Sequence, residues 1–229
     1  MNKMRKINIA IDGWSSCGKS TMARQLARLL NYVFIDSGAM YRAITLLFIR
    51  NQVDLADVRA VEQALQSINL QFQLNAESGN NEIWMNGENV EKEIRTMDVA
   101  QRVSDVAALK QVREFAVAQQ QQIGQGKGVV MDGRDIGTMV FPDAELKIFM
   151  TASEDVRVSR RLKELQQKNQ EITVDEVTAN LRMRDHIDST RDVSPLRRAE
   201  DAIILDNSNL SPDQQLGMAL EWAKQRMAS

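Results

Sequence analysis

The chain contains one cysteine, Cys17, and one histidine, His186, among its 229 residues. A single thiol excludes an intrachain disulfide, and the N-terminus has neither the apolar run nor the small-residue cleavage site of a secretory signal. The expected compartment is a reducing cytoplasm. No apolar stretch approaches the ~20 residues needed to span a bilayer. ITLLFI (44–49) is far too short, and no membrane role is expected. A net charge of -2 and a pI near 5.6 offer no general attraction for nucleic acid. Any polyanion contact must be local, and arginines do concentrate between residues 157 and 198. There is no internal repeat, and QQQQ (119–122) is too brief for low complexity and reads as the end of a helix.

What is present is enough for a core. At 43% hydrophobic and 26% charged, the chain suits one domain with an elaboration. INIAI (7–11) is a short apolar run that stops at Asp12-Gly13, and apolar Met22, Leu26 and Leu29 or Leu30 then recur at helical spacing from about Lys19. Residues 32–35 read as a second strand and 40–51 as a helix with a broad apolar face. GVVMD (128–132), LKIFM (146–150) and AIILD (202–206) read as three more buried strands. Strands alternating with helices predict a five-stranded parallel α/β sheet in three layers. The last helix is announced by Ser211 as cap and Pro212 in the first turn. One segment breaks the alternation: NLQFQLN (69–75) has period two, and EIWMNGENV (82–90) carries an Asn86-Gly87 hairpin signal. A small antiparallel insert is therefore expected at about 64–95, between a helix at 57–68 and the helices of 103–122.

GWSSCGKS (13–20) fits the phosphate-binding loop GxxxxGK[ST], and it lies between a strand and a helix, where such a loop must lie. Backbone N–H groups can converge on phosphate oxygens only where side chains do not obstruct them, and the following helix turns its positive end to the anion. The expected ATP set is Gly13, Trp14, Ser15, Ser16, Cys17, Gly18, Lys19, Ser20 and Thr21. Lys19 would reach the β- and γ-phosphates, Ser20 would meet Mg²⁺, and Asp132 would hold that ion through water. The plain alternative is an ordinary glycine turn, which the spacing, the Lys-Ser pair and the flanking periodicity all disfavour. A GTPase should show an NKxD-type guanine reader, but the fourth and fifth strands end in FMTAS and ILDNS. A nucleotide-driven switch protein and a kinase for another small acceptor stay open from the loop alone.

Three further segments narrow the choice: DSGAMYR (36–42), DGRDIGTMVFPDA (132–144) and RMRDHIDSTR (182–191). Together with the loop, in order and spacing over nearly the whole chain, they resemble the cytidylate kinase family of bacterial type, the β-rich insert included. The resemblance implies the P-loop NTPase fold, with residues 1–63 and 96–229 as kinase core, 64–95 as the insert beside the acceptor site and about 157–191 as a helical lid. It implies transfer of the γ-phosphate of ATP to CMP or dCMP with Mg²⁺, in pyrimidine nucleotide metabolism, by a monomer that needs neither nucleic acid nor membrane. It also implies an acceptor site of Ser37, Arg42, Ser104, Arg113, Arg134, Asp135, Arg184, Asp188 and Arg191. Lys19, Arg134, Arg184 and Arg191 would be catalytic. Guanidinium groups clamp phosphate oxygens through paired N–H bonds, and a carboxylate such as Asp135 can accept from the cytosine amino group while Arg113 donates to the ring acceptors. By the family pattern Asp188 sits near the sugar.

Without that pattern these charges would pass for solvated surface groups, and Arg184 with Asp188 has the (i, i+4) spacing of an ordinary helix-face pair. Arg157, Arg160 and Arg161 stay open between ATP phosphates and a wet helix face. The loop departs from the family's GPSGxGKGT at Trp14 and Ser20, which leaves nucleotide binding intact. Cys17 is either a reactive thiol or a small space-filler, the second being preferred. A capping box at Thr173 and Glu176 starts a helix in the expected lid. The acceptor is a phosphate monoester with a second pKa of about 6, already ionised at neutral pH, so no general base is needed and one histidine suffices.

Overall fold

The computed structural model describes residues 5–77, 79–167 and 172–228; the expected lid interval therefore includes 168–171, outside the described residues. Five parallel strands, β1 (Asn8–Gly13), β2 (Val33–Asp36), β6 (Val129–Gly133), β7 (Leu146–Thr151) and β8 (Ile203–Asp206), form one sheet in the order β2-β6-β1-β7-β8. Every residue of β1 is buried, as a central parallel strand covered on both faces requires. On one face, Ile9, Ile11 and Ile148 pack with Met22 and Leu26 of α1 (Lys19–Leu30) and Ala219 and Ala223 of α8 (Pro212–Ala228). On the other, Ala10, Ile35 and Met131 meet Ile136, Val140 and Phe141. The chain feeds outward from β1 in both directions, so the crevice at the strands' carboxyl ends is the place for a ligand.

A third cluster joins α2 (Ser37–Arg50), α3 (Val58–Gln66), α4 (Met97–Ala108) and α5 (Lys110–Gly124) to the small sheet β3 (Leu70–Leu74), β4 (Asn81–Met85) and β5 (Glu88–Asn89). That sheet is antiparallel in the order β3-β4-β5. Its second hairpin turns on Asn86 (φ 52°) and Gly87 (φ 84°), the positive-φ pair that a tight turn between right-twisted strands demands. Ile83, Met85 and Val90 are at most 2% exposed and share their core with the helices, so this sheet is built into the same interior as α2, α3, α4 and α5.

Two boundaries move from their expected places for a visible reason. The helix expected at 40–51 begins at Ser37, because the Asp36 carboxylate accepts from the Ala39 N–H (3.0 Å) and caps it. β1 runs on to Gly13, where an added Cβ would lie 2.0 Å from the Met150 carbonyl oxygen. The neighbouring strand comes close enough to require glycine. Beyond the sheet, α6 (Glu154–Gln167) and α7 (Val174–Thr190) pack through Val158, Leu165, Val177 and Leu181. Thr173 and Glu176 form the expected reciprocal cap at the start of α7.

Candidate active site

Strand register brings the chemistry together. Asp36 pairs with Asp132 across β2 and β6, and Ile11 pairs with Asp132 across β1 and β6, so both carboxylates stand at the sheet's carboxyl edge beside the loop that leaves β1. That loop ends at Gly18 (φ 87°), which starts α1 without a side-chain cap and leaves the helix's first N–H groups for an anion. Its backbone is strapped from outside: the Asn207 amide donates to the Cys17 carbonyl (2.8 Å), Arg160 to the same carbonyl (3.3 Å) and Arg157 to that of Ser15 (3.3 Å). Arg157 is 8% exposed and also bonds Asp185 (2.5 Å), so neither it nor Arg160 lies on a wet helix face. Arg161 pairs with Glu164 (2.8 Å) and faces the cleft. Cys17 is fully buried, with its thiol toward the Trp14 carbonyl (3.0 Å), as a space-filler would be.

Lys19 is 6% exposed, and its ammonium donates to the Trp14 carbonyl (2.6 Å). Burial first, and then the nearby Arg134, depress its pKa. The Ser20 hydroxyl donates to Asp132 Oδ2 (2.7 Å), while Asp132 Oδ1 is buried with no partner. Burial, then the neighbouring Asp36, push the Asp132 carboxyl up to about 6. A carboxylate left this short of positive charge, with one oxygen orphaned beside a hydroxyl, fits a divalent cation. Among the described residues no group of three or more His, Cys, Asp or Glu could hold a metal alone, so nucleotide and water would have to supply the remaining ligands.

From the phosphate loop the cleft, about 410 Å³ in volume, extends to every acceptor residue named from the sequence. Ser37 donates to the Asp132 carbonyl (2.6 Å), and Ser104 lines the cleft from α4. Arg42 pairs with Asp36 (2.9 Å). Burial works against charge on Asp36, yet Arg42, Arg95 and the Ala39 amide together hold it below the usual carboxylate range. Asp188 bonds Arg134 from the loop after β6 (2.7 Å) and lies 3.5 Å from Arg191 at the end of its own helix, so the helix-face pairing with Arg184 gives way to these two. Arg184 Nε is buried with no partner. Burial, then Arg134, push the guanidinium down to about 10, which leaves it charged at neutral pH and short of an anion. Deepest are Arg113 and Asp135, 1% and 3% exposed, ion-paired to each other, with the guanidinium 5.2 Å above the Tyr41 ring.

Gly13, Trp14 and Cys17 fall outside the cleft lining and shape the loop from behind. Five further residues shape the site. Asp36 was legible as a cap three residues before Ala39, and Asp185 stands next to Arg184 in a quoted motif. Asn207 follows the fifth strand, within ILDNS. Tyr41, beneath Arg113, lies within DSGAMYR beside Arg42, whereas Arg95, which lines the cleft and reaches Asp36 (3.3 Å), carries no local signal.

The family described as Cytidylate kinase matches residues 9–225. A cytidylate kinase of Bacteroides thetaiotaomicron is 56% identical over 93% of this chain and 94% of its own length. A cytidylate kinase of Porphyromonas gingivalis is 53% identical over 94% and 95%. Among solved structures, an uncharacterized protein from Eubacterium ventriosum superposes with a TM-score of 0.52 at 10% identity, covering 96% of this chain and 99% of that one; this is a likeness of fold alone. With that match across the chain and a phosphate loop opening into an arginine-lined cleft, the protein belongs to the cytidylate kinase family.

Proposed function

We propose that this protein transfers the γ-phosphate of ATP to CMP or dCMP, giving ADP and CDP or dCDP, as a step of pyrimidine nucleotide metabolism. One observation carries the reading: a single cleft joins a phosphate loop to a buried Arg113–Asp135 pair, with Arg42, Arg134, Arg184 and Arg191 lining it. The arginines suit the phosphates of two nucleotides facing each other. Arg184 and Arg42, each with a buried Nε that lacks a partner, are two whose charge an incoming phosphate would complete.

Cytosine offers an amino donor beside two acceptors. Asp135 would accept from the donor and Arg113, already bonded to Asp135, would donate to the acceptors, while Asp188 would meet the sugar. The acceptor phosphate is ionised at neutral pH, so the residues position it and neutralise charge without removing a proton. Lys19, drawn from the Trp14 carbonyl, would turn to the transferring group. Ser20, and Asp132 through water, would hold Mg²⁺, which would supply positive charge to offset that of the ATP phosphates. Contacts of α6 and α7 with the loop favour a lid that shuts out water, the competing acceptor. The proposal is of a monomer working on free nucleotides in the cytoplasm.

The test is ADP formation from ATP and Mg²⁺ with no acceptor and with CMP, dCMP, UMP and AMP in turn. Turnover that depends on CMP or dCMP and exceeds that with UMP is expected. Acceptor-independent hydrolysis, or faster use of another base, would overturn the reading.

A further inference from the structure

Asp12 has no part in the chemistry above, yet it is 5% exposed at the end of β1, directly before the first residue of the phosphate loop. Its Oδ1 accepts from the Ile136 N–H (2.8 Å) and its Oδ2 from the Gly137 N–H (2.7 Å). These are the first two amides of the π-helical turn Ile136–Val140, which begins at Asp135. Asp135 itself has φ -144° and ψ 24°, outside the regular wells, so its aim depends on how this turn is held. Two amides could be satisfied by neutral acceptors with less cost than a buried carboxylate. What one carboxylate adds is a two-point bond of fixed geometry, made from the strand that starts the phosphate loop. The fit is close on the far side too: a Cβ on Gly137 would lie 3.3 Å from Asp12 Oδ2 and 3.2 Å from Lys147 Cδ.

We propose that Asp12 is a positioning residue for acceptor choice, tying the strand that opens the phosphate loop to the turn that aims Asp135 at the base. The inference rests on the reading that Asp135 recognises the cytosine edge. Asp12 acts through Asp135 and touches neither nucleotide. Its loss therefore bears on which base is accepted, and much less on ATP.

Three variants test this by steady-state kinetics with CMP and UMP, each checked for a cooperative melt. Asp12→Asn keeps one acceptor but turns an NH₂ toward the second amide, donor against donor, so the turn shifts. The CMP-to-UMP ratio of kcat/KM is expected to fall about tenfold, through KM for CMP, as loss of a buried hydrogen bond allows. KM for ATP should change less than about twofold. Gly137→Ala leaves the carboxylate and pushes the same contact apart from the other side; it should give the same signature, and it decides the matter if Asp12→Asn does not fold. Asp135→Asn controls the underlying reading. If it leaves the ratio unchanged, the assignment of Asp135 to the base falls. If it collapses the ratio while Asp12→Asn or Gly137→Ala lowers kcat equally for both acceptors and keeps the ratio, Asp12 is only a structural support and the inference is overturned.

Discussion

Lys19 and Asp12 are both buried charges at the root of the phosphate loop, and each carries a distinct expectation. Lys19 bonds only within its own loop, so Lys19→Ala should melt no lower than the parent while turnover drops by two or more orders of magnitude; a preorganised cation at a transferring phosphoryl group contributes roughly 3–4 kcal/mol. A folded variant with near-normal turnover would remove the loop from the chemistry. For Asp12, burial raises the carboxyl from 3.8 to about 7, with the two amides lowering it, Asp135 raising it and Lys19 lowering it. The folded state therefore holds the proton more tightly than the unfolded chain between those values, and this group's contribution to stability falls as pH rises from about 4 to about 7. Asparagine cannot titrate. The melting temperature of the parent relative to Asp12→Asn should accordingly climb as pH is lowered from 8 to 5, and a pH-independent difference would show that Asp12 does not titrate in this range.

At the scale of elements, the β insert and α7 differ in how far they are part of the core. The insert's residues Ile83, Met85 and Val90 fill the same interior as α2 and α4, and Ile83→Ala should cost about 2–5 kcal/mol, read by denaturant titration. Removing 71–90 should then disrupt the acceptor half and not merely weaken CMP use. The start of α7 depends on an exposed cap, and Thr173→Ala should cost about 1 kcal/mol, seen as faster amide exchange in the first turn of α7. The elements show what a sequence reveals. Strands with apolar runs, the Asn86-Gly87 turn and the Thr173 cap are local patterns, and all were legible. The residues expected at the acceptor site can be gathered only through the order of their motifs, since no spacing ties Ser37 to Asp188. Arg95 owes its place to the tertiary packing of its segment beside α2, and nothing near it in the chain announces that.

Over the whole molecule, a net charge of -2 conceals a cleft lined by nine basic and five acidic residues. Attraction for nucleotide is thus concentrated at one mouth, while the rest of the surface carries the opposite excess. ATP should raise the melting temperature strongly at low ionic strength and progressively less as salt is added; a salt-insensitive shift would contradict this distribution.

Polar groups of the phosphate loop have partners within the protein. The Ser15 N–H donates to the Asp185 carboxylate (3.3 Å), the Ser15 hydroxyl accepts from Arg134 (2.9 Å), and the Lys19 ammonium sits on the Trp14 carbonyl. Phosphate oxygens binding there would compete with these internal partners, so part of the binding energy would go to replacing bonds already made. The same partners would compete with bound ADP and favour its release. Asp185→Asn should slow ADP release in stopped-flow displacement while leaving the nucleotide in the same place.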